Sequence, residues 1–449
     1  MSKDTLNQIQ ALVQKYISEE KNHSFRPGHD WISYSGPIFS SDEYIAAINA
    51  ILDGWLILGA KGRQFEVSFA KQLGKKDGIL TNSGSSANLL MLAALTSKDN
   101  YVKKRWPLKK GDKFITPVVC FPTTINPLIQ YGFEPVFVDV TLPDLNLNLD
   151  QVESLLKKDT KKEIKGIVFA HVLGNPPNME RVMHLVKKYD LIFLEDCCDA
   201  LGSTYQGKKL GSFGMMSTCS FYPAHHITLG EGGFVSTDSS KLRQILASFR
   251  DWGRACYCNS QKPGPVVCGT ACGNRFREWF PDVPEILYDH RYVFDEIGYN
   301  LKPLELQAAI GLQQIKKIDE LHIARKKNFN KLTNIFEPYK KYFHLPKATV
   351  GADPGWFAYL LTTKDNKKFK KQQFITYLEN AKIQTRSYFS GNILYHPGYR
   401  HLAKKYGDLQ ATFPIAHKVT KNSFFLGTYA GINNEQMCYI EKIVKEYFK

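Results

Sequence analysis

The sequence predicts an α/β fold, a mainly parallel sheet covered on both faces by helices, followed by a smaller C-terminal α+β domain. Two observations carry this. Through the first 250 residues, short apolar runs alternate with amphipathic stretches, the pattern of strands joined by crossover helices. At 449 residues, with 43% hydrophobic and 23% charged side chains, the chain has an ordinary globular composition and can build a substantial core. No apolar run reaches the ~20 residues that span a bilayer, and the polar start MSKDTLNQIQ lacks the apolar centre of a secretory signal. A cytoplasmic, non-membrane protein is expected.

The elements follow in order. Amphipathic patterning predicts helices over 5–19, 41–57 and 62–73. The run Gly78-Ile79-Leu80-Thr81 reads as the first strand and meets a turn at Asn82-Ser83-Gly84-Ser85-Ser86. A helix from Ala87 to Leu95 comes next. Strands are expected at Lys113–Val118, Pro135–Val140, Ile164–Ala170 and Leu191–Glu195, with helices at 123–131, 149–157 and 178–189 between them. Residues 251–300 are rich in Cys, Gly, Pro and aromatics with little periodicity, and so long an irregular stretch inside a compact domain marks function. Helical patterning returns at 303–335. The expected division is a large domain over 1–335, carrying a cysteine-rich insertion at about 251–295, and a small domain over 336–449.

The net charge of +16 makes a surface that attracts anions. The basic residues come as scattered pairs and triplets such as Lys103-Lys104-Arg105. That distribution points to a solvated basic surface rather than to a nucleic-acid groove. Nine cysteines in a cytoplasmic chain are expected as thiols. Cys197 and Cys198 are adjacent, and Cys256, Cys258, Cys268 and Cys272 lie close together, clustering that reads as metal binding.

Three segments carry candidate chemistry. The turn Ser83-Gly84-Ser85-Ser86-Ala87-Asn88 follows a strand and opens a helix. It reads equally as a phosphate cradle and as an ordinary serine cap. Phe193-Leu194-Glu195-Asp196-Cys197-Cys198 delivers acids at the C-terminal end of a strand, where open α/β sheets place ligands. An acid there can pair with a protonated ring nitrogen or cap the next helix. In Ser220-Phe221-Tyr222-Pro223-Ala224-His225-His226, adjacent side chains of an extended chain point to opposite faces, so one histidine at most should face a site.

Together, in this order and spacing, the segments resemble the DegT/DnrJ/EryC1/StrS sugar aminotransferase family, a branch of the pyridoxal-phosphate enzymes of fold type I. The resemblance runs from about Tyr34 to the C-terminus and includes Pro135-Val136-Phe137-Val138-Asp139-Val140, His171-Val172-Leu173-Gly174-Asn175-Pro176 and Gly298-Tyr299-Asn300-Leu301-Lys302. It implies that Ser85, Ser86 and Ser220 cradle the cofactor phosphate, Phe121 stacks on the pyridine ring and Asp196 pairs with the ring nitrogen. It also implies that Asn300 reaches the cofactor of a neighbouring subunit in a homodimer. Arg386 resembles a substrate-closing residue, although a plain surface arginine reads equally well.

The chain departs from the family where the family has its cofactor-binding lysine. That position is His225. Imidazole forms no stable Schiff base, yet it transfers protons near neutral pH. This implies non-covalent pyridoxamine phosphate and argues against ordinary transamination. A further 57 residues separate Cys198 from Cys256, and one separates Cys256 from Cys258. That spacing resembles the iron–sulfur branch of the family, typified by the CDP-6-deoxy-L-threo-D-glycero-4-hexulose-3-dehydrases. The branch implies a [2Fe–2S] cluster on Cys198, Cys256, Cys258 and a fourth cysteine. Cys272 fits the following Gly273-Asn274-Arg275-Phe276 context, with Cys268 the competitor. A structural zinc would accept the same four ligands.

The implied activity is removal of the C3 hydroxyl from a nucleotide-linked 4-keto-6-deoxyhexose, CDP-linked by this resemblance, on a route to the 3,6-dideoxy sugars of lipopolysaccharide O-antigen. The implied partner is an NADH-dependent iron–sulfur flavoprotein reductase. Alternatives are a dTDP- or GDP-sugar 3-dehydrase, a sugar aminotransferase, or a non-catalytic cofactor-binding regulator.

Overall fold

The computed structural model describes residues 3–20, 24–256, 276–364 and 369–449. Three helices precede the sheet: α1 (Lys3–Glu20), α2 (Ser41–Leu52) and α3 (Ala60–Ala70). Helix α2 stops five residues short of its expected end. Asp53 caps it and Gly54 takes the left-handed conformation at φ +74°, which ends a helix at little steric cost.

Strands and helices then alternate: β1 (Asp77–Thr81), α4 (Gly84–Leu95), α5 (Asn100–Arg105), β2 (Lys113–Pro117), α6 (Pro122–Gln130), β3 (Glu134–Val138), α7 (Leu149–Lys158), β4 (Ile164–Ala170), α8 (Met179–Lys188) and β5 (Ile192–Asp196). A small hairpin of β6 (Thr204–Tyr205) and β7 (Lys208–Lys209) precedes β8 (Met216–Ser220), β9 (Gly233–Thr237) and α9 (Ser240–Arg250). The seven-stranded sheet has the order β1-β9-β8-β5-β4-β2-β3. Pairs from β3 through β8 are parallel, and only β9 runs against its neighbours β1 and β8. Every residue of β5 and β8 is buried, as expected for strands covered on both faces. Gly166 in β4 has no side chain for a reason: a Cβ there would meet the Phe114 ring at 2.5 Å and the Ile192 carbonyl at 2.7 Å.

Residues 276–300 hold a short antiparallel hairpin, β10 (Phe276–Glu278) with β11 (Leu287–Asp289). The helical stretch that follows is two helices, α10 (Glu305–Ile315) and α11 (Ile318–Phe336). The start of α11 packs in the main core through Ile318 and Leu321. Its end packs with Trp356, Tyr359 and Phe374 in a second core. That core is built on a four-stranded antiparallel sheet of 343–344, 358–363, 423–427 and 385–387. Ile32 joins the same core from the N-terminal side. Among the described residues, no helix is long and apolar enough to cross a membrane.

A buried carboxylate locks α3, β1 and α9 together. Glu66 accepts from the Leu80 N–H at 3.0 Å, Arg250 at 2.9 Å, Arg243 at 3.0 Å and Arg63 at 3.2 Å. Removing it leaves three guanidiniums with one fewer counter-charge in low dielectric. Glu66→Ala should lower the unfolding free energy by about 3–5 kcal/mol, measured by urea denaturation.

Candidate active site

The site forms at the C-terminal edge of the parallel strands. The serine turn is the first turn of α4, which begins at Gly84, three residues earlier than expected. Ser83 is its cap: its Oγ accepts from the Ser86 N–H at 3.1 Å and lies 3.0 Å from the Ser86 hydroxyl. The phosphate-cradle and capping readings of this turn are thus compatible, because Ser83 caps while the exposed Ser85 hydroxyl stays free to face a ligand. Ser220, the last residue of β8, stands against the same turn. A Cβ on Gly84 would lie 2.4 Å from the Ser220 Cβ, and one on Gly233 would lie 2.0 Å from the Ser83 carbonyl oxygen. Two glycines therefore let the ends of β8 and β9 close on the helix start. Ser85, Ser86 and Ser220 come together there.

Asp196 ends β5 and is buried. Its Oδ2 accepts from Asn88 Nδ2 at 2.9 Å and Thr124 Oγ1 at 2.8 Å, and its Oδ1 accepts from the Cys198 N–H at 3.0 Å. Thr218 Oγ1 donates to Asn88 Oδ1 at 2.6 Å and so fixes the orientation of that amide. Sequence reasoning gave no role to Asn88, Thr124 or Thr218. The available signal was a lone asparagine in the otherwise apolar run of α4. Phe121 caps α6 one turn before Thr124, with its ring exposed and set edge-on to Phe389 at 5.9 Å.

His225 and His226 part, as expected, although they lie in a bend and not in extended chain. His226 Nε2 donates to the Gly355 carbonyl at 2.8 Å. His225 Nδ1 stands 3.6 Å from Asp199 Oδ1, and its ring packs on Phe357 at 5.4 Å. Burial pushes the His225 imidazole down to about 4, against which the Asp196 charge acts, while Arg325 adds to the lowering. Burial, helped by Asp196, pushes the Asp199 carboxyl up to about 8. At neutral pH the imidazole is therefore uncharged, the form whose lone pair can accept a proton. Asp199 was missed because nothing in its sequence context places it against a histidine 26 residues away.

The remaining candidates are more scattered. Asn300 is exposed and its backbone bridges Asp251, while the next carbonyl, of Leu301, accepts from the Asn82 N–H at 2.8 Å beside the serine turn. Arg386 is exposed on the outer strand of the small sheet, its guanidinium 4.6 Å from the Tyr34 ring centre. Among the described residues, no hydrogen bond ties it to the Asp196 group. Cys198 and Cys256 are half-buried. Burial and the Asp196 charge push the Cys198 thiol well up. Cys258, Cys268 and Cys272 lie outside the described residues.

Behind the site, Glu195 is fully buried. It accepts from His171 Nε2 at 2.9 Å, the Gly211 N–H at 3.0 Å and the Gly214 N–H at 2.5 Å. His171, Glu195 and Cys197 lie close enough together to hold a metal, but the carboxylate is already saturated with donors, and the trio reads as structural. Burial raises the Glu195 carboxyl, but His171 and the two glycine N–H groups outweigh it and hold it below its usual 4.5. A depressed carboxylate stabilises the fold above its unfolded value, and that stability is lost as pH falls toward the folded value. Glu195→Gln should cost about 2 kcal/mol at neutral pH and flatten the loss of stability below about pH 5, read from urea melts across pH.

The model of the DegT/DnrJ/EryC1/StrS aminotransferase family matches residues 40–445. The chain is 39% identical to the lipopolysaccharide biosynthesis protein RfbH of Salmonella typhimurium, over 98% of this chain and 97% of that one. It is 38% identical to the dTDP-4-dehydro-2,6-dideoxy-D-glucose 3-dehydratase of Saccharopolyspora spinosa, over 100% and 93%. The structure of E. coli GDP-4-keto-6-deoxy-D-mannose-3-dehydratase with bound hydrated PLP superposes with a TM-score of 0.75 at 29% identity, covering 93% of this chain and 100% of the other. A seven-stranded sheet with its acids and serines at one edge, and a family match over nearly the whole length, lead to one conclusion: this chain belongs to the DegT/DnrJ/EryC1/StrS aminotransferase family.

Proposed function

We propose that the chain is a pyridoxamine-phosphate-dependent dehydratase that removes the C3 hydroxyl of a nucleotide-linked 4-keto-6-deoxyhexose. The observation that carries this is His225. By the family resemblance it stands in the lysine position, as a buried imidazole 3.6 Å from Asp199. Relatives named as 3-dehydratases of dTDP- and GDP-linked sugars support the reaction class.

The cofactor fits the residues present. Gly84 and Gly233 let the ends of β8 and β9 close on the start of α4, which brings Ser85, Ser86 and Ser220 to one turn, and a buried carboxylate stands ready for a ring N–H. When bound, pyridoxamine phosphate supplies an amine for the C4 ketone and a ring that accepts electrons. The helix start and the three hydroxyls bind the phosphate. Asp196, held by Asn88, Thr124 and the Cys198 N–H, keeps the ring nitrogen protonated. Phe121 covers the ring face. His225 takes a proton at the cofactor's C4′ carbon and returns one to the leaving C3 oxygen. Asn300 reaches the partner subunit's cofactor in a homodimer, and Arg386 closes on the nucleotide diphosphate.

The finer part of the proposal is a CDP-linked substrate and a [2Fe–2S] centre on Cys198, Cys256, Cys258 and Cys272, with Cys268 as the competing fourth ligand. The cysteine spacing supports it. The net charge of +16 suits an acidic partner such as an iron–sulfur flavoprotein reductase.

Borohydride treatment with pyridoxal phosphate should attach the cofactor covalently to His225→Lys and not to the wild type. Equal labelling of both would remove the basis of the reading. His225→Asn should slow solvent exchange at C4′ in the presence of a CDP-, dTDP- or GDP-4-keto-6-deoxyhexose by about 10²–10⁴-fold. Anaerobically purified protein should hold about two irons and two sulfides per chain, lost in Cys272→Ser and kept in Cys268→Ser. One zinc and no iron would refute the cluster.

A further inference from the structure

Arg325 lies midway along α11, between Leu321 in the main core and Phe329 in the second. It is buried, and its guanidinium meets no carboxylate within ion-pair distance among the described residues. It donates instead to two backbone carbonyls: Nη1 to Phe357 and Nη2 to His225, both at 3.1 Å. Burying a guanidinium for two carbonyls is costly unless the geometry it fixes matters. One of those carbonyls belongs to the histidine in the lysine position.

The other end of the bridge is fixed independently. The Phe357 N–H donates to the Leu173 carbonyl at 2.9 Å, and its carbonyl also accepts from Thr428 Oγ1 at 3.1 Å. The Phe357 ring packs on the His225 ring at 5.4 Å and on Phe389 at 6.2 Å, and Phe389 meets Phe121. A small cavity lined by Arg325, His225, His226, Gln314 and Tyr429 adjoins the bridge. His225 is therefore tied to Phe357 twice, through its backbone by way of Arg325 and through its ring directly.

We propose that Arg325 is a positioning residue for His225, clamping the His225 carbonyl to that of Phe357 so that the imidazole keeps one orientation in the site. The fork matters because a planar guanidinium reaches both carbonyls at fixed angles, which an ammonium cannot. This rests on His225 being the proton carrier, and the function of the bridge is to fix its aim.

The test uses the full chain with pyridoxamine phosphate and the nucleotide-sugar panel. Arg325→Ala should lower kcat by about ten-fold or more with KM within about two-fold. Millimolar guanidinium chloride should restore much of that loss, and should do nothing for His225→Asn. A second readout needs no turnover. In ring-labelled protein, the His225 signal, identified by its disappearance in His225→Asn, should lose its ring-current displacement in Arg325→Ala. Arg325→Lys, which keeps the charge and loses the fork, should show a smaller change in both readouts and serves if the alanine variant does not fold. Wild-type kcat and an unmoved His225 signal in either folded variant would overturn the proposal. Should wild type process none of the sugars, the proposed reaction falls, and the ring signal alone still decides the role of Arg325.

Discussion

The carboxylate of Asp196 is the constraint on which the site depends. It is a charge at the end of a fully buried strand, and such a charge persists only when donors surround it. Asn88 from α4, Thr124 from α6 and the Cys198 N–H supply them. Each donor comes from a different segment, so satisfying this one group fixes the starts of α4 and α6 relative to the end of β5. Those starts carry Ser85, Ser86 and Phe121. The same polar demand that stabilises the sheet edge therefore gathers the residues that can hold a cofactor.

The second layer is electrostatic. Asp196 is near enough to Asp199 to help hold a proton on it, and burial keeps His225 neutral. Burial thus shifts Asp199 and His225 toward their uncharged forms, a separation of roles set by environment rather than by residue type. Behind them, Glu195 and His171 tie β5 to the loop through Gly211 and Gly214, and the His171 N–H donates to the Asp196 carbonyl at 3.0 Å. The backbone that presents Asp196 is held by contacts that never face the site.

The strands were legible because burial on both faces leaves continuous apolar runs, as in Ile164–Ala170. The serine turn was legible because its polar residues interrupt such a run at a strand end. Helix ends were less so: Asp53-Gly54 stopped α2 where apolar residues continued to Leu58. Residues that act across the fold left no local mark. Asp199 meets His225 only after the chain bends back, and Arg325 reaches the same histidine from 100 positions away. Asn88 and Thr124 matter because two helices start side by side, which periodicity does not encode.

In the proposed function, a site with histidine in place of lysine eliminates water instead of transferring an amine. The most direct measurement is mass spectrometry of the recovered nucleotide sugar after incubation with the protein and pyridoxamine phosphate in ¹⁸O-labelled water. Label is expected at the C3 hydroxyl, from reversible loss and return of water, with no amine gained. A 4-amino sugar carrying unlabelled C3 oxygen would contradict it.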